Sequence, residues 1–143
     1  TCIPHDDGVQ YQIFIVFVTQ AIIKQALAEV RTHKACVAAM PVKDTIKIAD
    51  EQDFAVSTPR RDLVWMMQTP QVFQASLIRG AYRKLLSEEK KLRSQGVQIT
   101  DDAMVVETLL SHPVKLFRAS YENIKITTPD DLLIADGILE KRI

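Results

Sequence analysis

Six consecutive residues without a polar side chain, Ala35-Cys36-Val37-Ala38-Ala39-Met40, follow the polar turn Thr32-His33-Lys34 and restrict the possible folds more than any other stretch. A run this short and this uniformly apolar reads as a strand covered on both faces, the pattern of the inner strands of a parallel sheet. Covering two faces takes helices on both sides. One lies directly upstream, where Thr19 is placed to cap a helix running to about Arg31. Ile22, Ile23, Ala26, Leu27 and Val30 recur there at helical spacing, with Lys24 and Glu29 turned outward. Before it, Tyr11 to Val18 is uncharged and strongly β-prone, and residues 1–10 read as a strand end passing into a turn at Asp7-Gly8.

From Asp44 the periodicity changes. TIKIA and FAVST alternate around the charged turn Asp50-Glu51-Gln52-Asp53, which predicts an antiparallel hairpin inserted into the α/β pattern. Such a hairpin cannot bury both of its faces alone, so it is expected to meet a second subunit or to fold back on its own domain. Next come Arg60 and Arg61 beside Pro59, a buried-looking Trp65 and a polar turn, Gln68-Thr69-Pro70-Gln71. Two guanidiniums at such a place suit bidentate gripping of a phosphate or carboxylate; the alternative is a solvated pair.

A long helix is expected from about Gln74 into the 90s, stopped by Gly96. Thr100 is placed to cap another, whose first turn holds Asp101 and Asp102, acids that complement the helix dipole or ligate a metal. Brief strands follow at Val114–Phe117 and Ile124–Thr127. Thr128-Pro129-Asp130-Asp131 then opens a closing helix with Leu132, Leu133, Ala135, Ile138 and Leu139 as its buried stripe. Lys125 alternates outward from its strand and, with Thr127 and Thr128 at a helix N-terminus, faces either solvent or an anion. The sum is one α/β domain with a mostly parallel sheet and an inserted hairpin.

Charge narrows the partners. Eighteen acids balance eighteen bases and the pI is near 6.8, so the basic field that nucleic acid needs is missing. No segment reaches the roughly 18 apolar residues of a membrane span. The first residues, with Asp6 and Asp7 and no early Lys or Arg, lack a signal-peptide pattern, and the expected setting is cytoplasmic. Four glycines, Gly8, Gly80, Gly96 and Gly137, are too far apart to build a phosphate-cradling loop.

The ordered motifs HDDGV (5–9), PVKDTIK (41–47), STPRRDLVW (57–65), QTPQVF (68–73), ITDDA (99–103) and YENIKITTPDDL (121–132) span the chain. In that order they resemble the 2-C-methyl-D-erythritol 4-phosphate cytidylyltransferases, of which the chain is similar to a C-terminal portion lacking the N-terminal, CTP-holding half. The resemblance implies a Rossmann-like three-layer nucleotidyltransferase fold, CTP and methylerythritol phosphate as substrates, Mg²⁺, and a homodimer embraced by a hairpin arm at 43–64. It further implies that Thr45 and Arg61 hold the substrate phosphate across the dimer. Lys125 is then the cation beside the reacting phosphate, with Thr127 next to it. Thr100 is a substrate-side hydroxyl, and Asp6 or Asp7 is the ligand of Mg²⁺. Gln10 stands where that family carries an arginine, and HDDGV has one acid more than its HD motif. Two alternatives stay open at this level: a ribitol 5-phosphate cytidylyltransferase, which shares QTPQ and the NIK motif, and a non-catalytic remnant that only dimerises, inactive alone for want of the CTP loop.

Overall fold

A computed structural model describes residues 2–4, 10–12 and 15–142. In chain order the elements are β1 (Cys2–Pro4), β2 (Gln10–Gln12), β3 (Ile15–Val16), α1 (Gln20–His33), β4 (Ala35–Pro41), β5 (Ile48–Ala49), β6 (Ala55–Ser57), a 3-10 turn (Arg61–Leu63), β7 (Trp65–Phe73), α2 (Ala75–Ser94), α3 (Asp102–Leu110), β8 (Lys115–Arg118), β9 (Lys125–Ile126) and α4 (Pro129–Glu140).

The apolar run is the middle strand. β4 lies between β7 and β8, and its residues 35–40 are all buried. Its side chains alternate between two cores. Cys36 and Ala38 pack with Ile22 and Ala26 of α1 and with Phe117 of β8, while Ala35 packs on the other face with Ala81, Leu92, Val105, Val106 and Leu109 of α2 and α3. Helix, sheet and helix pair thus form three layers around one strand. Cys36 Sγ donates to the Ala26 carbonyl at 3.4 Å across the first interface. Burial, helped by the charge of Glu29, pushes that thiol up to about 11, so it stays protonated at neutral pH.

The sheet is mixed, not mostly parallel. β4 and β8 run parallel, whereas β4 with β7, β1 with β2, β3 with β9 and β5 with β6 are antiparallel. The inserted hairpin is the reason. The chain leaves β4 at Pro41 and returns beside it as β7, which makes the pair antiparallel, and only the α2–α3 crossover brings β8 back in the direction of β4.

Residues 42–64 form the arm, closed at its root by the Val42 N–H donating to the Val64 carbonyl at 3.0 Å. At its tip Asp50 Oδ1 accepts the N–H groups of Gln52 (3.0 Å) and Phe54 (2.9 Å). Asp53 takes the left-handed conformation that completes the turn, as the charged tetrapeptide predicts. The hairpin does not fold back on its own domain: Phe54 is 71% exposed, and Ile48, Val56 and Leu63 are also more than half exposed.

Helix ends follow the capping signals, with one shift. Thr19 Oγ1 accepts the Ile22 N–H, and Gly96 at φ +71 ends α2 while Val97 N–H reaches the Leu92 carbonyl. The cap of α3, however, is Asp101 and not Thr100. The Asp101 carboxylate accepts the Met104 N–H at 2.8 Å, three residues on, which Thr100 is one residue too early to reach. The stripe expected on α4 is also corrected. Ala135 and Ile138 are buried, but Leu132, Leu133, Ile134 and Leu139 are exposed, as are Ile23 and Leu27 on α1. With apolar residues at four consecutive positions, 132–135, α4 turns only part of its circumference toward β9.

Candidate functional site

The site begins as an interruption in a strand. Val37 pairs with Gln71 and Ala39 with Met67, so Gln68, Thr69 and Pro70 together stand opposite one residue, Ala38. Proline has no N–H for a ladder, and the segment read from sequence as a turn leaves the sheet as a bulge inside β7. The Thr69–Pro70 bond is cis.

Two glutamines tie the bulge down in opposite directions. Gln71 Nε2 donates to Asp101 Oδ2 at 3.1 Å and its Oε1 accepts the Ala103 N–H at 3.0 Å, which fastens it to the start of α3. Gln68 Nε2 donates to the Ser120 carbonyl at 2.8 Å and its Oε1 accepts Asn123 Nδ2 at 3.3 Å. Asn123 Nδ2 also donates to the Thr69 carbonyl at 2.7 Å.

Between these fastenings an open cleft of about 630 Å³ is lined by residues 66–69, Gln71, Thr100, Asp101, Tyr121, residues 123–125 and Asp131. It opens beside the segment that leaves the carboxyl end of β8, where α/β sheets place their ligands. Two of the substrate-side residues implied by the resemblance meet here, Thr100 and Lys125. Lys125 is exposed on β9 beside buried Ile126, the outward alternation expected of it, and it is the one cationic residue among those lining the cleft.

The two carboxylates of the lining are already engaged. Asp101 serves Met104 and Gln71, as above. Asp131 Oδ2 accepts the N–H of Thr127 (2.9 Å), the N–H of Thr128 (2.8 Å) and the Thr127 hydroxyl (3.1 Å). Thr127 therefore faces the capping carboxylate of α4 and does not itself line the cleft. These bonds, the Thr127 N–H foremost and the Thr128 N–H next, hold the Asp131 carboxyl down at about 2. A carboxylate whose folded pKa lies below its ordinary 3.8 contributes stability that is present above that value and lost as pH falls toward about 2. The urea midpoint of the wild-type chain is expected to drop across this window more than that of Asp131→Asn. Equal drops would show that the cap adds nothing.

Asp102 is engaged as well, accepting the Tyr82 hydroxyl at 2.5 Å, a bond that raises the Tyr82 pKa. Asp101 and Asp102 thus act as cap and hydrogen-bond acceptor. Among the described residues no group of three or more His, Cys, Asp or Glu is placed to hold a metal ion, and Asp6 and Asp7 lie outside the described residues.

The doubled basic site divides. Arg60 pairs with Asp62 at 2.6 Å, which lowers the Asp62 pKa, while Arg61 Nη1 donates to the Lys43 carbonyl at 3.1 Å. Arg61 and Thr45 both sit on the arm, and neither lines the cleft. Trp65 is half-buried, its ring under the Arg118 guanidinium at 5.2 Å. Tyr121 joins arm root to cleft: its hydroxyl donates to the Pro41 carbonyl at 2.8 Å and its ring carries the Lys43 ammonium at 3.8 Å. Sequence reading assigned no role to Gln68, Gln71, Tyr121 or Asn123. Its one available signal was two glutamines flanking Thr-Pro inside a β-prone run, too polar for a plain strand.

A mixed α/β sheet with helices on both faces and a cleft beyond its strand ends makes up part of a Rossmann-like three-layer nucleotidyltransferase fold. Residues 15–141 match the family described as "IspD: 2-C-methyl-D-erythritol 4-phosphate cytidylyltransferase", and the chain belongs to that family. A 2-C-methyl-D-erythritol 4-phosphate cytidylyltransferase of Alkaliphilus oremlandii is 44% identical over 125 residues, 87% of this chain and 50% of that protein. One of Lachnospira eligens is 48% identical over 124 residues, 87% of this chain and 52% of the relative. The crystal structure of 4-diphosphocytidyl-2C-methyl-D-erythritol synthase from Anaerococcus prevotii matches with a TM-score of 0.77 at 34% identity, covering 87% of this chain and 52% of that one. The chain spans about half the length of these relatives. Among the described residues no helix is long and apolar enough to cross a membrane.

Proposed function

We propose that this chain forms the sugar-phosphate side of a cytidylyltransferase that joins CTP to 2-C-methyl-D-erythritol 4-phosphate. The products are 4-diphosphocytidyl-2-C-methyl-D-erythritol and diphosphate. The observation that carries this reading is the meeting of Thr100 and Lys125, from motifs far apart in sequence, in one cleft of a chain belonging to this family. A phosphate oxygen of the sugar phosphate, ionised at neutral pH, attacks the α-phosphorus of CTP. The bond from that phosphorus to the β-phosphate oxygen breaks, and diphosphate leaves with its electron pair. No proton has to move, so alignment and charge neutralisation are what the protein must supply.

Lys125 offers its ammonium beside the transferring group and Thr100 its hydroxyl to the sugar phosphate. Thr127, held on Asp131, fixes the end of β9, the strand from which Lys125 projects. Mg²⁺ belongs to the same reading, with Asp6 or Asp7 as its ligand from this chain; when bound it neutralises phosphate charge. So does a homodimer: the arm's exposed Phe54, Val56, Ile48 and Leu63 supply an apolar face for a second copy, which would carry Thr45 and Arg61 to the partner's cleft. A cytoplasmic setting completes it.

The experiment is diphosphate release by full-length enzyme carrying these residues, with CTP, Mg²⁺ and either methylerythritol phosphate or ribitol 5-phosphate. The family match favours the first sugar phosphate. Turnover with it alone is the expected result. Turnover only with the ribitol compound, or with neither, overturns the reading.

A further inference from the structure

Thr69 and Lys125 stand on two walls of the cleft that the sheets do not connect. β7 is hydrogen-bonded to β4 and β9 to β3, with no ladder running from β7 to β9. The spacing of the two walls therefore falls to side chains. Asn123 spans them: it lies two residues before Lys125, is only 3% exposed, and donates both Nδ2 hydrogens, to the Thr69 carbonyl at 2.7 Å and to Gln68 Oε1 at 3.3 Å. Gln68 closes the bridge by donating to the Ser120 carbonyl at 2.8 Å on the same segment as Asn123.

The direction of these bonds matters. Asn123 Oδ1, also buried, has no donor among the described residues, so the amide is held in place by what it gives and not by what it accepts. Burying an unmatched acceptor disfavours folding, a cost that an apolar residue in the same space avoids. What no apolar residue does is hold the carbonyl of Thr69 at a fixed distance from the strand that carries Lys125.

We propose that Asn123 is a positioning residue that sets the placement of Thr69 against Lys125 across the cleft. The kinetic part of this assignment rests on the proposed function; the mechanical part does not. Aspartate has nearly the shape of asparagine but no donor when ionised, which makes Asn123→Asp the diagnostic variant.

Hydrogen exchange on this chain tests the clamp itself. Asn123→Asp is expected to speed exchange at 66–69 and 124–126 and leave α2 and α3 unchanged. Unchanged exchange at the two walls overturns the proposal whatever the activity. In full-length enzyme, kcat/KM for the sugar phosphate is expected to fall on the order of tenfold while KM for CTP stays within about twofold, the signature of one misplaced substrate. A wild-type enzyme with no turnover defeats the proposed function and leaves the clamp to be judged by exchange. An active enzyme in which Asn123→Asp loosens the walls but alters neither constant defeats the positioning role alone. Should Asn123→Asp not fold, Gln68→Ala cuts the other end of the bridge and is read by the same two measurements.

Discussion

Replacing Lys125 with alanine is expected to lower kcat of the full-length enzyme on the order of 100- to 1000-fold, the usual cost of removing one group that neutralises charge developing in a transition state. KM for CTP should move much less. The position supports this size of effect: Lys125 is the one cation among the residues lining the cleft. A loss below about tenfold would mean that another group carries the charge. The same variant also probes the arm. If Arg61 serves the partner's cleft, mixing Lys125→Ala with Arg61→Ala subunits should restore about a quarter of wild-type activity, since half the dimers are mixed and one of their two sites is intact. No recovery would place Arg61 outside the partner's site.

Phe117→Ala is expected to cost about 3–5 kcal/mol of folding stability, a large share of the about 5–15 kcal/mol that a domain possesses. Phe117 projects from β8 between Cys36 and Ala38 of β4 and Ile22 and Ala26 of α1. Cys36 and Ala38 are small side chains on a central strand held from both sides, which cannot move in to fill the space left behind. Urea unfolding of this chain measures the change. Leu133→Ala, at a position 74% exposed, is the control and should cost less than about 0.5 kcal/mol. Similar midpoints for the two variants would contradict the assignment of β4 and α1 as the organising core.

How much of this is legible in sequence depends on the reach of the signal. The central strand and the arm are readable because each follows from spacing within a few residues: an unbroken apolar run for β4, alternation around Asp50–Asp53 for the hairpin. Thr100 and Lys125 are recoverable from motifs, and they do share a cleft. Strand direction is less accessible, because it depends on where the chain goes between elements. The cap of α3 moved from Thr100 to Asp101 because both are good caps and only backbone geometry selects between them. The clamp is beyond sequence reading altogether. Asn123 and Gln68 meet across more than fifty residues, and no periodicity or propensity records an amide that reaches from one wall of a site to another.

The oily surface left on α4 and α1 has a practical outcome for anyone handling this polypeptide. Its acids and bases cancel at neutral pH, so molecules in concentrated solution have no net charge to keep them apart, while Leu132, Leu133 and Ile134 invite them to stick. Storage in alkaline buffer, well away from the isoelectric point near 6.8, is the condition under which it should remain clear.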